Sequence, residues 1–297
     1  MTRAMQGAVS LMAIALMHCT EAPGEGAITY AEAPTPKGKH PLTLDIRVPE
    51  GPGPFPTVVF IHGGGWMFGD LTHFRGAIEN AARRGFVGVT INYRLANEPN
   101  DEGGALSPWP AQMQDVRCAL RWLSANAETF KIDTGRVATA GDSAGGHLAM
   151  MAGYAQNDPK FEPTWCPHEE SVAVRAVVSI YGANDLAAVY DTTQEWWVRA
   201  YMTRWLDIPD GASTTDYAAQ FADANPASYL RTGPKIPSLI LQGTADTVVP
   251  PQTQRQFIAA AQGAGQDVSI VFLEGVGHGV DSIEASNRAI DWLSTRL

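Results

Sequence analysis

The stretch "VATAGDSAGGHLAMMAG", residues 137–153, decides how the rest of the chain is read. An apolar run ends in Gly-Asp-Ser-Ala-Gly-Gly, and helix formers follow at once. A strand that passes straight into a helix bends sharply, and the neighbours of the bend must be small to avoid clashes. Gly141-Asp142-Ser143-Ala144-Gly145 has the form G-x-S-x-G. Either the glycines serve a tight packing turn, or the turn holds the Ser143 hydroxyl out for attack on a carbonyl. The pentapeptide alone does not choose. A strand before it and a helix after it are the context that a nucleophile requires.

Outward from this point the chain alternates. Strand-like runs fall at 42–49, 57–66, 86–94, 135–141, 173–182, 237–243 and 267–275, most of them closed by glycine. Helical spacing appears at 73–85, 109–130, 252–263 and 283–297, with Pro110 near a first turn, where proline is tolerated. Strands bounded by glycine and alternating with helices predict an α/β architecture, a mostly parallel sheet with helices on both faces. One segment breaks the rhythm. Residues 186–230 lack a strand and hold Trp196, Trp197, Tyr201 and Trp205, which reads as a cap-like insertion in a single catalytic domain over 28–297.

A serine hydroxyl is a weak nucleophile and needs a base, itself oriented by an acid. Behind an elbow of this kind the chain order is Ser, acid, His. Asp246 and His278 each follow a strand-like run, and loops at the C-terminal ends of parallel strands converge on one side of the sheet. Asp185, also after a strand, is the rival acid. Asp281 is the weaker alternative and reads better as a cap of the last helix. His147 is four residues after Ser143 on the same helix face, where packing against the sheet is its expected fate. "HGGGW" at 62–66 supplies backbone N–H groups that glycine leaves unobstructed. Gly64, Gly65 and Ala144 are the expected oxyanion donors, with His62 bracing the loop. A phosphate-binding loop is the other reading, but no Lys follows the glycines at P-loop spacing. Trp66, Trp196 and Trp197 are expected on the substrate side; of the neighbours Trp196 and Trp197, one should pack inward while the other faces the cleft.

Acidic residues outnumber basic ones 31 to 21, and no basic block stands out, which argues against nucleic acid and anionic membranes as partners. No metal-ligand spacing and no dinucleotide fingerprint is visible, so the chemistry calls for no cofactor and no metal. Arg3 precedes an apolar run from Ala8 to Met17, too short to span a bilayer but of the length of a signal-peptide core. A leader over 1–22 and export to periplasm or medium are expected, although no clean small-x-small triplet marks a cleavage site. Cys19 is a poor lipid-anchor site because His18 stands where a small residue is needed. Removal of the leader leaves Cys118 and Cys166, a candidate disulfide if they are not two buried thiols.

The motifs HGGGW (62–66), NYRLA (92–96), WPAQMQDVRCALRWL (109–123), GDSAGGHLA (141–149), YGANDL (181–186), LQGTADTVVPP (241–251) and GVGHG (275–279) follow in that order. In this set the chain resembles the α/β-hydrolase superfamily, and within it the hormone-sensitive-lipase-like carboxylesterases and the bifunctional xylan and feruloyl esterases. The resemblance runs from about residue 40 onward. It implies Ser143 as nucleophile, Asp246 as acid, His278 as base and the glycine loop as oxyanion hole. It implies an acetyl or feruloyl ester, small or linked to plant polysaccharide, as substrate. The absence of a large N-terminal cap points away from long-chain lipids. An amide-cleaving peptidase or formamidase on the same scaffold is the second expectation. A non-catalytic binding module is a third, disfavoured because serine, acid and histidine all stand in order.

Overall fold

The apolar runs read from the sequence become the middle of one eight-stranded sheet. The computed structural model describes residues 26–99, 104–280 and 282–297. The expected leader, Cys19 and Asp281 lie outside the described residues. The strands are β1 (Ile28–Thr35), β2 (Gly38–Arg47), β3 (Phe55–Ile61), β4 (Val87–Ile91), β5 (Ile132–Asp142), β6 (Val174–Ile180), β7 (Ser238–Gly243) and β8 (Val268–Leu273). They lie in the order β1-β2-β4-β3-β5-β6-β7-β8. Only β1–β2 and β2–β4 pair antiparallel; every other pair is parallel.

Central strands covered on both faces must be apolar throughout, and β4 and β7 are buried at every position. The helices are α1 (Arg75–Arg83), α2 (Ala111–Ala125), α3 (Ala144–Tyr154), α4 (Leu186–Thr192), α5 (Trp196–Leu206), α6 (Ala218–Asp223), α7 (Pro251–Gly263) and α8 (Ser282–Leu293). One face of the sheet is covered by α1 and α8, through Ala77, Ile78, Ala289 and Ile290. The other is covered by α2, α3 and α7, through Met113, Leu148 and Phe257.

The sequence reading missed β1. Its Tyr30, Ala31 and Ala33 are buried, but Pro34 and the short apolar content masked the pattern. Proline is tolerated there because β1 is an edge strand with a free side. The helix expected over 109–130 ends at Ala125, where Asn126 closes it. Residues 186–230 hold α4, α5 and α6 and no strand, as expected of an excursion between β6 and β7. Cys118 of α2 and Cys166 are joined in a disulfide, with their Cα atoms 5.7 Å apart. Among the described residues no helix is long and apolar enough to cross a membrane.

The strand order reverses around β3, which has β4 on one side and β5 on the other. Crevices open at such a reversal, beyond the carboxyl ends of the strands. The glycine loop leaves β3 there and the Ser143 turn leaves β5 there.

Candidate active site

Ser143 has φ 50° and ψ −118°, a conformation that side-chain-bearing residues adopt only when their surroundings enforce it. The surroundings do so. Ser143 N–H donates to the Ile180 carbonyl at 2.8 Å, and the next turn begins with His147 N–H on the Ser143 carbonyl at 3.0 Å. A Cβ at position 145 would lie 2.0 Å from the Ile61 carbonyl oxygen, so only glycine lets α3 sit this close to the end of β3. The result is a hydroxyl held at the floor of a cleft of about 300 Å³.

His278 and Asp246 arrive from loops beyond β8 and β7. His278 Nε2 is 2.9 Å from Ser143 Oγ, and His278 Nδ1 is 2.9 Å from Asp246 Oδ2. The carboxylate can only accept, which places the proton on Nδ1 and leaves Nε2 free to receive the serine proton. Asp246 is 4% exposed and fully satisfied. Its Oδ1 accepts the N–H groups of Val248 and Val249, both at 2.9 Å, and its Oδ2 accepts Gln242 Nε2 at 3.0 Å. A carboxylate fixed this firmly holds the imidazole in one orientation. Asp185, the rival acid, is spent elsewhere: it caps α4, accepting Ala188 N–H at 3.2 Å, and binds Asn225.

Gly64, Gly65 and Ala144 border the cleft beside Ser143. Gly64 and Gly65 have φ of 109° and 63°, which a side chain would disfavour. His62 braces this loop: its Nδ1 donates to the Gly63 carbonyl at 2.8 Å, its carbonyl accepts the Tyr93 hydroxyl at 2.9 Å, and its ring stacks on Tyr93 at 4.3 Å. Burial lowers its pKa, favouring the neutral ring. His147 is also structural. Its Nε2 donates to the Ala224 carbonyl at 2.6 Å and its Nδ1 accepts Trp66 Nε1 at 3.3 Å, with burial pushing its pKa down to about 4.

The tryptophans divide differently from expectation. Trp66 and Trp197 border the cleft. Trp66 stacks on Trp205 at 4.0 Å, the two rings nearly parallel. Trp196 does not border the cleft; it points to solvent and is 77% exposed, so its expected substrate-side place is corrected. Trp197 is half-buried, packed against the core and bordering the cleft at once, so the two neighbours divide between cleft and solvent rather than between core and cleft. The buried indole of this segment is Trp205, whose Nε1 donates to Gln112 Oε1 at 2.8 Å. The remaining wall comes from Val189, Val198, Tyr201 and Met202 of α4 and α5 and from Val248. Their apolar character was visible in the sequence, but no spacing tied them to Ser143. Tyr181 was missed as well. Its ring meets His278 edge to face at 4.8 Å, and its φ of 41° marks a strained turn after β6. Among the described residues no group of His, Cys, Asp and Glu is placed to hold a metal ion.

The chain is similar to known esterases in sequence and in structure. The esterase LipC of Mycobacterium tuberculosis is 32% identical over 237 residues, covering 78% of this chain and 55% of that protein. The probable carboxylic ester hydrolase LipM of the same organism is 30% identical over 207 residues, covering 69% of this chain and 44% of that protein. The chain thus spans about half the length of these curated relatives. Among solved structures, Thermogutta terrifontis esterase 2 phosphorylated by paraoxon is 25% identical with a TM-score of 0.69, over 93% of this chain and 95% of that one. A bifunctional GH43-CE protein of Bacteroides eggerthii is 27% identical with a TM-score of 0.72, over 91% of this chain and 37% of that one. The eight-stranded, mostly parallel sheet with its covering helices is structurally similar to α/β-hydrolase esterases. With residues 44–260 matching its pattern, the chain belongs to the BD-FAE family.

Proposed function

We propose that the protein is a serine carboxylic-ester hydrolase. The observation that carries this reading is the line of hydrogen bonds from Asp246 through His278 to Ser143 at the floor of an apolar cleft. Ser143 Oγ attacks the ester carbonyl as His278 Nε2 takes its proton. The carbonyl oxygen becomes an anion beside the N–H groups of Gly64, Gly65 and Ala144, which stabilise it without reorganising. His278 returns the proton to the departing alcohol. It then activates water, which releases the acid and restores the serine.

The cleft is at the small end for ligand sites, and its apolar walls favour a short-chain or aromatic acyl group. Acetyl or feruloyl esters of plant polysaccharide fit this size, and the likeness to a bifunctional GH43-CE protein favours them. Export is part of the proposal, since the Cys118–Cys166 bond suits an oxidising compartment. The test is direct. Intact mass after treatment with an organophosphate should show one adduct, mapped to Ser143; a Thermogutta esterase of similar structure carries such a modification. A panel of esters graded by acyl size, with matched amides, then sets the substrate class. An unmodified Ser143 in protein that hydrolyses esters would overturn the assignment.

A further inference from the structure

Asp142, read in the sequence only as the variable position of the elbow, borders the same cleft as Ser143 and is 8% exposed. Its negative charge stands next to the place where, on the reading above, the ester oxygen becomes an anion. Like charges repel most strongly where water is excluded. The fold surrounds this carboxylate with donors. Oδ1 accepts Gly63 N–H at 2.7 Å, and Oδ2 lies 3.4 Å from the Tyr181 hydroxyl and 3.4 Å from His73 Nε2. Of these three, only His73 can bring a full positive charge.

His73 lies in the short turn before α1, edge to face with Phe74, and its side chain is 45% exposed. Four other ionisable groups face the pair. Asp70 is on the same turn as His73. His62, at the end of β3, is kept neutral by burial, which lowers its pKa. Tyr93, beyond β4, and Tyr181, beyond β6, are kept un-ionised because burial raises theirs. His73 itself is raised above the ordinary imidazole value, first by its hydrogen bond to Asp142 and then by the charges of Asp142 and Asp70, with burial opposing.

We infer that His73 is a positioning residue that acts through Asp142: its imidazolium neutralises the carboxylate beside the oxyanion site and holds it on the glycine loop. The inference rests on Ser143 as the nucleophile. The sign follows from the charges. Below the raised pKa of His73 the pair is neutral; above it Asp142 is an unopposed anion, and kcat falls on the alkaline side. Acylation and deacylation both pass through the oxyanion, so the effect shows whichever step limits turnover.

The experiment measures kcat and KM for p-nitrophenyl acetate across the imidazole titration range. It compares wild type, His73→Gln, His73→Lys, Asp142→Asn and the His73→Gln/Asp142→Asn double variant. His73→Gln should lower kcat roughly fivefold at nearly constant KM, the size of a half-exposed ion pair, and abolish the alkaline decline. His73→Lys should restore kcat without that decline. In the Asp142→Asn background His73→Gln should have no further effect, because no charge is left to neutralise. Independent, additive losses, or an alkaline decline that survives in His73→Gln, would overturn the inference. If Asp142→Asn does not fold, the half-exposed position still decides: equal kcat for the Gln and Lys variants refutes it. Organophosphate labelling of the wild type separates the two levels. No adduct at Ser143 removes the nucleophile and this inference together, whereas an adduct combined with additive losses removes the inference alone.

Discussion

His147 and His278 belong to two regions related to Ser143 in different ways, one by chain neighbourhood and one by a hydrogen bond. His147 is four residues away along α3; His278 is 135 residues away along the chain. The near histidine is buried with both ring nitrogens engaged by a carbonyl and an indole N–H. The distant one has a carboxylate on one nitrogen and the serine on the other. An imidazole between an N–H and a carbonyl is held neutral, because protonation would set two donors face to face. An imidazole backed by a buried carboxylate can receive a proton and be stabilised in that state. The partners, rather than distance along the chain, therefore separate the structural histidine from the reactive one.

The sharpest break of this comparison comes from replacing each histidine. His278→Ala should lower kcat by roughly 10⁴–10⁶ with little change in melting temperature, since the base acts in the same unit as the nucleophile. His147→Gln should leave the turnover of folded protein within about tenfold while lowering stability. Steady-state kinetics on protein verified as folded by circular dichroism decides, and comparable losses in both variants would erase the distinction.

The acids sharpen it next. Asp246→Asn should cost on the order of 10⁴ in kcat, because the amide favours the wrong imidazole tautomer. Asp185→Ala should leave kcat unchanged and lower stability by about 1 kcal/mol, the loss of a helix cap. Ester kinetics paired with urea titration checks both, and the reverse order would hand the acid role to Asp185.

A pH series tests the neutral histidine. With a folded pKa of about 4 against an unfolded reference near 6.5, the unfolded state binds the extra proton between these values. His147 therefore contributes stability above about pH 6.5, on the order of 3 kcal/mol, which is lost as pH falls toward 4. Urea unfolding at both ends of that window should show a smaller pH dependence in His147→Gln than in wild type. Equal slopes would mean that His147 titrates normally.

The smallest effect concerns the neighbouring indoles. Trp197→Ala should raise KM for bulky aromatic esters several-fold more than for acetyl esters, by loss of one wall of the cleft. Trp196→Ala should change neither, because its ring is 77% exposed and away from the cleft. Parallel kinetics on p-nitrophenyl acetate and a feruloyl ester checks the pair. A shift in the Trp196 variant would move the substrate's path onto the outer face of α5.

The sequence by itself determined the parallel core, the elbow and Ser143 and His278 as residues to bring together, with Asp246 and Asp185 as the two candidate acids. These features are local: buried strands are apolar runs, the turn demands small residues, and loops after parallel strands share one end of the sheet. Single-residue proximity was the least reliable guide, as His147 shows. Only the tertiary structure decided the faces of Trp196 and Trp197, the edge strand β1, and the roles of Asp142, His73 and Tyr181. Each depends on distant segments: the cleft that Trp197 borders and Trp196 does not, β2 beside β1, and the three loops that meet at one carboxylate. Helical spacing says that adjacent side chains diverge, but what lies on either side of a helix is set by packing between elements, which no local pattern encodes.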